Sequence, residues 1–184
     1  MKKGHSFFPK NRRGQVWVET VIYTLIALVM IGLVLSFARP KIQELQDKII
    51  IDQSIELMKE LDSTILNLGA EGNRRVVELG VKRGELTFDG TANAFVFEME
   101  GQSEYSQPGL PISDGNLIIL TEKRGSANFV TITRDYSASY NMQFEGSDTA
   151  KVLTKSTVPY KVSISNEGND DADPTKVKIN MELV

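Results

Sequence analysis

The side chains that most often carry out catalysis are scarce in this chain of 184 residues. It has no cysteine, which excludes thiolate catalysis and disulfide bonds. Its single histidine, His5, lies close to the N-terminus. No glycine-rich phosphate loop occurs, and no pair of carboxylates stands out as an acid–base pair. The sequence therefore predicts a protein that is not an enzyme and that binds no cofactor.

Oxygen-bearing side chains are concentrated in one stretch near the C-terminus, residues 166–174. They are Asn166, Glu167, Asn169, Asp170, Asp171 and Asp173. Carboxylate and amide oxygens are the ligands that calcium prefers, but their spacing here is not that of an EF-hand loop. A solvated hairpin loop between two strands is the simpler interpretation. No metal site is predicted, and calcium binding by this loop is left open.

Charged residues also lie on both sides of an apolar segment near the N-terminus. Residues 21–38 form a run of 18 residues without a charge, and Glu19 lies just ahead of it. As a helix this run would span about 27 Å, close to the roughly 30 Å of a bilayer core. Basic residues are more numerous before it than after it: Lys2, Lys3, Lys10, Arg12 and Arg13 against Arg39, Lys41 and Lys48. This bias predicts a single-pass membrane segment with a cytoplasmic N-terminus and the rest of the chain outside.

Three residues at the start of the apolar segment have a distinctive spacing. Gly14 ends the basic leader, Gln15 follows it directly, and Glu19 comes four residues after Gln15. This arrangement resembles the prepilin signature of type IV pilins and, more narrowly, the class III signal peptide of archaeal pilins. Trp17 departs from the small residue that the family prefers between Gln15 and Glu19.

The resemblance implies cleavage between Gly14 and Gln15 by a prepilin peptidase in the membrane. The apolar helix is then retained and becomes the core of a filament, which an assembly platform in the membrane builds. The residues expected in that core are Val21, Leu25, Leu28, Ile31 and Leu35. The mature chain would contain neither histidine nor cysteine.

Glu19 has a physical role under this interpretation. A carboxylate in the hydrocarbon region costs on the order of a few kcal/mol unless it is paired or lies near the interface. Cleavage creates a new cation, the α-amine of Gln15, with an ordinary pKa near 8. In a filament Glu19 would pair with the amine of a neighbouring copy and fix the register of the apolar helices. The alternative is a glutamate at the headgroup level without a role in assembly.

Beyond the apolar segment, hydrophobic residues continue at helical spacing. They are Ile42, Leu45, Ile49, Ile55, Met58, Leu61, Ile65 and Leu68. The pattern predicts one helix over residues 15–68, apolar over 15–38 and amphipathic over 41–68, with Gly69 as its C-cap. Pro40 is predicted to kink this helix. The amphipathic stripe is expected to pack on the domain that follows.

From about Arg74 the hydrophobic period becomes two, which predicts strands. Alternation is clearest over residues 95–99, 136–144, 160–165 and 177–183, and residues 116–121 are apolar on both faces, which indicates a central strand. About eight antiparallel strands with no helix between them predict a sandwich-like head over residues 69–184. The predicted fold class is α+β, a long N-terminal helix followed by an all-β head, as in type IV pilins.

The charge distribution limits the partners. Residues 1–14 carry five of the 21 Lys/Arg and none of the 24 Asp/Glu, so the remaining chain has a formal net charge of −8. An acidic body argues against a nucleic-acid partner.

Two functions remain. The first is a structural subunit, a major or minor pilin, of an archaeal type IV pilus-like filament that interacts with copies of itself or other pilins. Such a subunit is a single-pass membrane protein before assembly and part of an extracellular filament afterwards. The alternative is a non-polymerising membrane protein whose β head binds a partner in the cell envelope, as an archaellum accessory protein would. The adhesion target of a filament is not predicted.

Overall fold

A computed structural model describes residues 12–184, with side chains from Trp17 onward. This part of the chain contains one helix and ten strands: α1 (Arg12–Leu66), β1 (Arg74–Leu79), β2 (Glu85–Asp89), β3 (Ala94–Gly101), β4 (Ile112–Asp114), β5 (Leu117–Arg124), β6 (Ala127–Asp135), β7 (Tyr140–Phe144), β8 (Ala150–Thr154), β9 (Tyr160–Asn169) and β10 (Val177–Leu183). The chain divides into two compact units, Met1–Ile42 and Gln43–Val184. The second unit includes the C-terminal part of α1 as well as all of the strands.

Helix α1 extends over 55 residues and ends close to the predicted position. The helical assignment continues through Pro40, and the kink predicted there stays a prediction. Gly69 has a φ of 81°, in the left-handed region, which confirms it as the C-cap. The side-chain amide of Asn73 donates a hydrogen bond of 2.9 Å to the carbonyl of Leu68. This bond ties the segment that follows α1 to the turn that leads into β1.

The strands form two sheets, and with α1 they confirm the predicted α+β class. One sheet has the order β1-β9-β10-β7 and the other β4-β5-β6-β3-β2-β8. Neighbouring strands are antiparallel except for β7 and β10, which run parallel from the pair Tyr140 and Val177 onward. The prediction of an all-antiparallel head was therefore wrong at this one pair. Two strands intervene between β7 and β10, and such a long connection permits a parallel pair where a hairpin would not.

A single hydrophobic core fills the unit Gln43–Val184. Both sheets contribute alternate side chains to it, and α1 contributes Ile51, Ile55, Met58, Leu61 and Ile65. Phe88 of β2 joins the two sheets: its ring centroid lies 4.8 Å from that of Phe95 on β3 and 6.2 Å from that of Phe144 on β7. The part of α1 that follows Gln43 is therefore a component of the head's core.

The predicted amphipathic stripe is buried only in its second half. Ile42, Leu45 and Ile49 are exposed, whereas Ile51, which the stripe omits, is completely buried. At 100° per residue, Ile49 lies about 160° around the helix from Ile51, so the two cannot share a face. The buried face instead follows Ile51 and Met58, and the prediction that the whole stripe packs on the head was wrong for its first three residues.

Two strand predictions also differ from the structure. Residues 136–139 form a turn in which the amides of Ser139 and Tyr140 both donate to the carbonyl of Tyr136, so β7 begins only at Tyr140. Of the predicted residues 116–121, all but Asn116 belong to β5, but Ile118 is exposed on its outer face while Ile119 is buried. Strand β5 therefore buries one face, not two, because the core lies on one side of its sheet.

Candidate membrane and assembly segment

The apolar part of α1 exposes its side chains on all sides. Among the described residues, the helix Trp17–Leu66 is the one whose length and composition would allow it to cross a membrane, and none of its most apolar stretch is buried. The predicted core residues Val21, Leu25, Leu28, Ile31 and Leu35 are all exposed. So are neighbours on the other faces, including Ile22, Ile26, Val29 and Phe37. A helix that is hydrophobic all round requires an apolar environment, either lipid or other apolar helices.

The polar side chains within this segment bond to the helix itself. The hydroxyl of Thr24 donates to the carbonyl of Thr20 at 2.8 Å, and that of Ser36 donates to the carbonyl of Gly32 at 2.9 Å. A hydroxyl bonded to the preceding turn needs no water. The carboxylate of Glu19 is the one charged group within residues 17–38, and as an acceptor it cannot bond to a carbonyl of the preceding turn as these hydroxyl groups do.

Glu19 has a neighbour one turn further along the helix. The hydroxyl of Tyr23 donates a long hydrogen bond of 3.4 Å to Oε1 of Glu19. This contact uses part of the hydrogen-bonding capacity of the carboxylate, which accepts up to about four bonds. Glu19 is exposed, so the rest of this capacity is accessible from outside the helix.

The predicted processing site lies at the beginning of α1. The backbones of Gly14 and Gln15 are helical, while their side chains lie outside the described set. At a rise of 1.5 Å per residue, Gln15 lies about 6 Å before Glu19 along the helix axis. The residues before Arg12 lie outside the described residues, so the predicted cleavage stays a prediction.

Two buried aspartates of α1 were missed by sequence reasoning. Asp47 pairs with Arg83 and accepts a hydrogen bond of 2.6 Å from the amide of Gln102. Asp62 accepts a hydrogen bond of 2.6 Å from Nε of Arg134. Both aspartates are buried; Asp62 contacts strand β6, and Asp47 contacts the segments that precede β2 and follow β3. The spacing of these aspartates could have indicated that they are buried. Asp47, Ile51, Met58 and Asp62 are separated by four, seven and four residues, which places them on one face of the helix.

The acidic stretch near residues 166–174 is partly neutralised by a lysine. Nζ of Lys178 lies 3.9 Å from Asp170 and 3.4 Å from Asp171. Hydrogen bonds from the hydroxyl and amide of Thr175 lower the pKa of Asp173. Within residues 12–184 no group of three or more acidic or histidine side chains is arranged to hold a metal ion.

Comparison with protein-family models, with curated proteins and with solved structures found no match.

Proposed function

We propose that this chain is a structural subunit of an archaeal type IV pilus-like extracellular filament. The observation that carries the proposal is the exposed apolar helix with a single carboxylate, Glu19, near its beginning. A simple membrane anchor needs the apolar surface but gains nothing from a carboxylate within it, because charge in the hydrocarbon region is costly. A helix that leaves lipid and joins copies of itself gains a register from one ion pair.

The spacing of Gly14, Gln15 and Glu19 supports the same proposal. A peptidase that cuts after Gly14 places the α-amine of Gln15 about one helical turn from Glu19. Within one chain the two charges partly neutralise each other in the membrane. Between chains the amine of one copy meets the carboxylate of the next, which replaces contact with lipid by contact with a neighbour.

A second candidate is a membrane protein that is anchored by the same helix and does not polymerise. It is favoured by the core of the unit Gln43–Val184, which is complete within one chain and requires no second copy to close it. Its head would bind a partner in the cell envelope.

The N-terminus of the native protein tests the first proposal. Material from sheared surface filaments is expected to begin at Gln15, because the peptidase removes residues 1–14. The variant Gly14→Val is expected to keep its leader and to stay in the membrane fraction, since a side chain at the cut residue obstructs a narrow peptidase site. Gly4→Val changes the other glycine of the leader and is expected to be processed like the wild type.

Two outcomes would decide against the filament. Wild-type protein that keeps residues 1–14 in its native host would contradict the processing step. Wild-type protein that is cut but never leaves the membrane fraction would favour the anchored head.

A further inference from the structure

Three aliphatic side chains of α1 are exposed beyond its charge-free run. Ile42, Leu45 and Ile49 are 52%, 61% and 55% exposed, and none of them belongs to the core of the head. The stretch that contains them is charged: Arg39, Lys41, Glu44, Asp47 and Lys48 lie within it. These three side chains therefore have neither the core of the head nor a charge-free membrane segment around them.

The spacing of these residues is that of a coiled coil. Ile42 precedes Leu45 by three residues, and Leu45 precedes Ile49 by four, which assigns the two isoleucines to position a of a heptad and the leucine to position d. We call these three residues the seam. The same alternation of three and four extends back along the sequence through Val21, Thr24, Leu28, Ile31, Leu35 and Ala38. The helix is apolar on every face over residues 21–38, so the seam is the part of the repeat that defines one face.

The residue types of the seam favour a pair of helices. Isoleucine at position a with leucine at position d is the combination that favours two parallel strands. The next d and a positions after Ile49 are Asp52 and Glu56, and both are exposed. In a symmetric pair each carboxylate would approach the same carboxylate of the partner, so the apolar contact is expected to end at Ile49.

The residues beside the seam favour the parallel direction. Lys41 and Lys48 occupy position g, whereas Gln46 and Gln53 occupy position e. In a parallel pair, position g of one helix meets position e of the following heptad of the other, so each lysine meets a glutamine. In an antiparallel pair, lysine would face lysine. Copies that enter one membrane through the same apolar segment also run parallel, because they share one orientation.

We propose that the seam of one copy packs in register against the seam of a second copy, as a parallel two-stranded coiled coil. A heptad seam is complemented by a helix with the same repeat, and α1 is the one helix in the described part of the chain. The contact has two-fold symmetry, so each seam residue meets its own counterpart. A filament built by repeating a single contact joins unlike surfaces instead. The pair therefore goes beyond the proposed function, and it is also compatible with an anchored head.

Single cysteines test this symmetry, since the chain has none of its own. Full chains that carry Ile42→Cys, Leu45→Cys or Ile49→Cys are oxidised mildly in their native membranes, and the disulfide-linked homodimer is measured on a non-reducing gel. Gln43→Cys is the matched control, because Gln43 is exposed and lies about 100° around the helix from Ile42. We expect about fivefold or more dimer at each seam position than at the control. Equal yields at all four positions, as for helices that face lipid and collide at random, would overturn the proposal.

A polar substitution within the seam tests whether apolar packing holds the pair together. Leu45→Gln in the Ile49→Cys chain is expected to lower the yield of the disulfide about fivefold or more, because it places an amide at the d position between the two isoleucines. Gln43→Ala in the same chain should leave the yield unchanged. Leu45 lies outside the core of the head, so the near-UV circular dichroism of the tyrosines should be the same in both variants. An unchanged disulfide yield in the Leu45→Gln chain would contradict the pairing.

The same cysteines separate the pair from the filament. The variant Gly14→Val, which is expected to stay in the membrane, should still form the Leu45→Cys dimer, since the seam does not include the processing site. Seam dimers in a native host whose wild-type chain forms no filaments would support the pair and reject the proposed function. Filaments from a chain whose seam dimers do not exceed the Gln43→Cys control would reject the pair and keep the function.

Discussion

Glu19 is the only charged side chain in residues 17–38, so its removal tests one charge in an otherwise apolar helix. We expect Glu19→Gln to insert into the membrane and to be cut after Gly14, because neither step uses the carboxylate. In the filament the α-amine of Gln15 of a neighbour would lose its partner in a medium of low dielectric. The amount of protein in sheared filaments, relative to the membrane fraction, should fall about tenfold or more.

The control for Glu19 is Thr24→Val, which removes a hydroxyl already bonded to its own helix. It changes the polarity of the segment without changing a charge and should leave the filament fraction as in the wild type. If Glu19→Gln also reached filaments at the wild-type level, Glu19 would be an interfacial glutamate and the register argument would be wrong.

Asp47 is a second residue whose charge has a defined partner. Its side chain is almost fully buried, Arg83 pairs with it, and the amide of Gln102 donates to it. Asp47→Asn leaves Arg83 without its counter-ion, and because Arg83 is half exposed we expect a cost of about 1–3 kcal/mol in the free energy of unfolding. Denaturant unfolding of the detergent-solubilised chain, followed by near-UV circular dichroism of the tyrosines, measures this cost.

Gly101 provides an independent test of the same contact. A Cβ at this position would lie 2.6 Å from Oδ2 of Asp47, which is too close for a carbon and an oxygen that are not bonded to each other. Gly101→Ala should therefore destabilise the wild type more than it destabilises an Asp47→Ala chain, where the space is free. Asp52→Asn, an exposed change on the same helix, should have little effect on stability. Equal costs of Gly101→Ala in the two backgrounds would contradict the contact.

At the level of the elements, regular patterns could be predicted and local exceptions could not. The helical period, the left-handed Gly69 and the alternation over β10 depend on neighbouring residues, and the sequence contains that information. The turn at residues 137–139 interrupts an alternation that Tyr136 and Tyr140 continue on either side. A pattern of buried and exposed residues does not distinguish a strand from a turn that happens to preserve it.

The boundary of the folding unit is likewise set by contacts that are distant in sequence. Ile51, Ile55, Met58, Leu61 and Ile65 are buried against strands that begin at Arg74 and later. Full burial of five such side chains contributes on the order of 10 kcal/mol, which is comparable to the total stability of an ordinary domain. Residues 43–184 are therefore expected to give a soluble, cooperatively unfolding domain, whereas residues 69–184 should aggregate.

Expression of both fragments with the same tag, followed by size-exclusion chromatography and circular dichroism, checks this prediction. Replacing the exposed Leu45 and Ile49 by glutamine in the longer fragment serves as the control, since neither residue contributes to the core. A soluble and cooperatively folded 69–184 fragment would contradict the prediction, because it would show that the sheets fold without the helix.

For the molecule as a whole, composition predicted the architecture but not the connections within it. An apolar segment followed by alternating strands is sufficient for a helix and a β-rich head. The parallel pairing of β7 with β10 and the ion pair of Asp62 with Arg134 depend on the path of the chain through space. The local sequence pattern does not indicate that β7 and β10, which are separated along the chain by β8 and β9, become neighbours in the sheet.

The scarcity of groups that titrate near neutrality leads to a prediction for the whole molecule. The chain has no cysteine, and its one histidine, His5, lies outside residues 43–184, so the stability of the head should be nearly constant between about pH 6 and 8. Hydrogen bonds from Ser137 lower the pKa of Asp135, as those from Thr175 do for Asp173. A carboxylate with a lowered pKa in the folded state stabilises it above the pKa of the unfolded chain.

That contribution is lost as the pH falls through the folded pKa values, because the unfolded chain then binds more protons than the folded one. The thermal midpoint of residues 43–184, measured by circular dichroism from pH 3 to 8, should therefore fall below about pH 4 to 5 and be flat above about pH 6. The double variant Ser137→Ala and Thr175→Ala removes the hydroxyl donors and should reduce the acid-dependent part of the fall. A change of the midpoint between pH 6 and 7 would contradict the prediction, since no group of the head has an ordinary pKa in that interval.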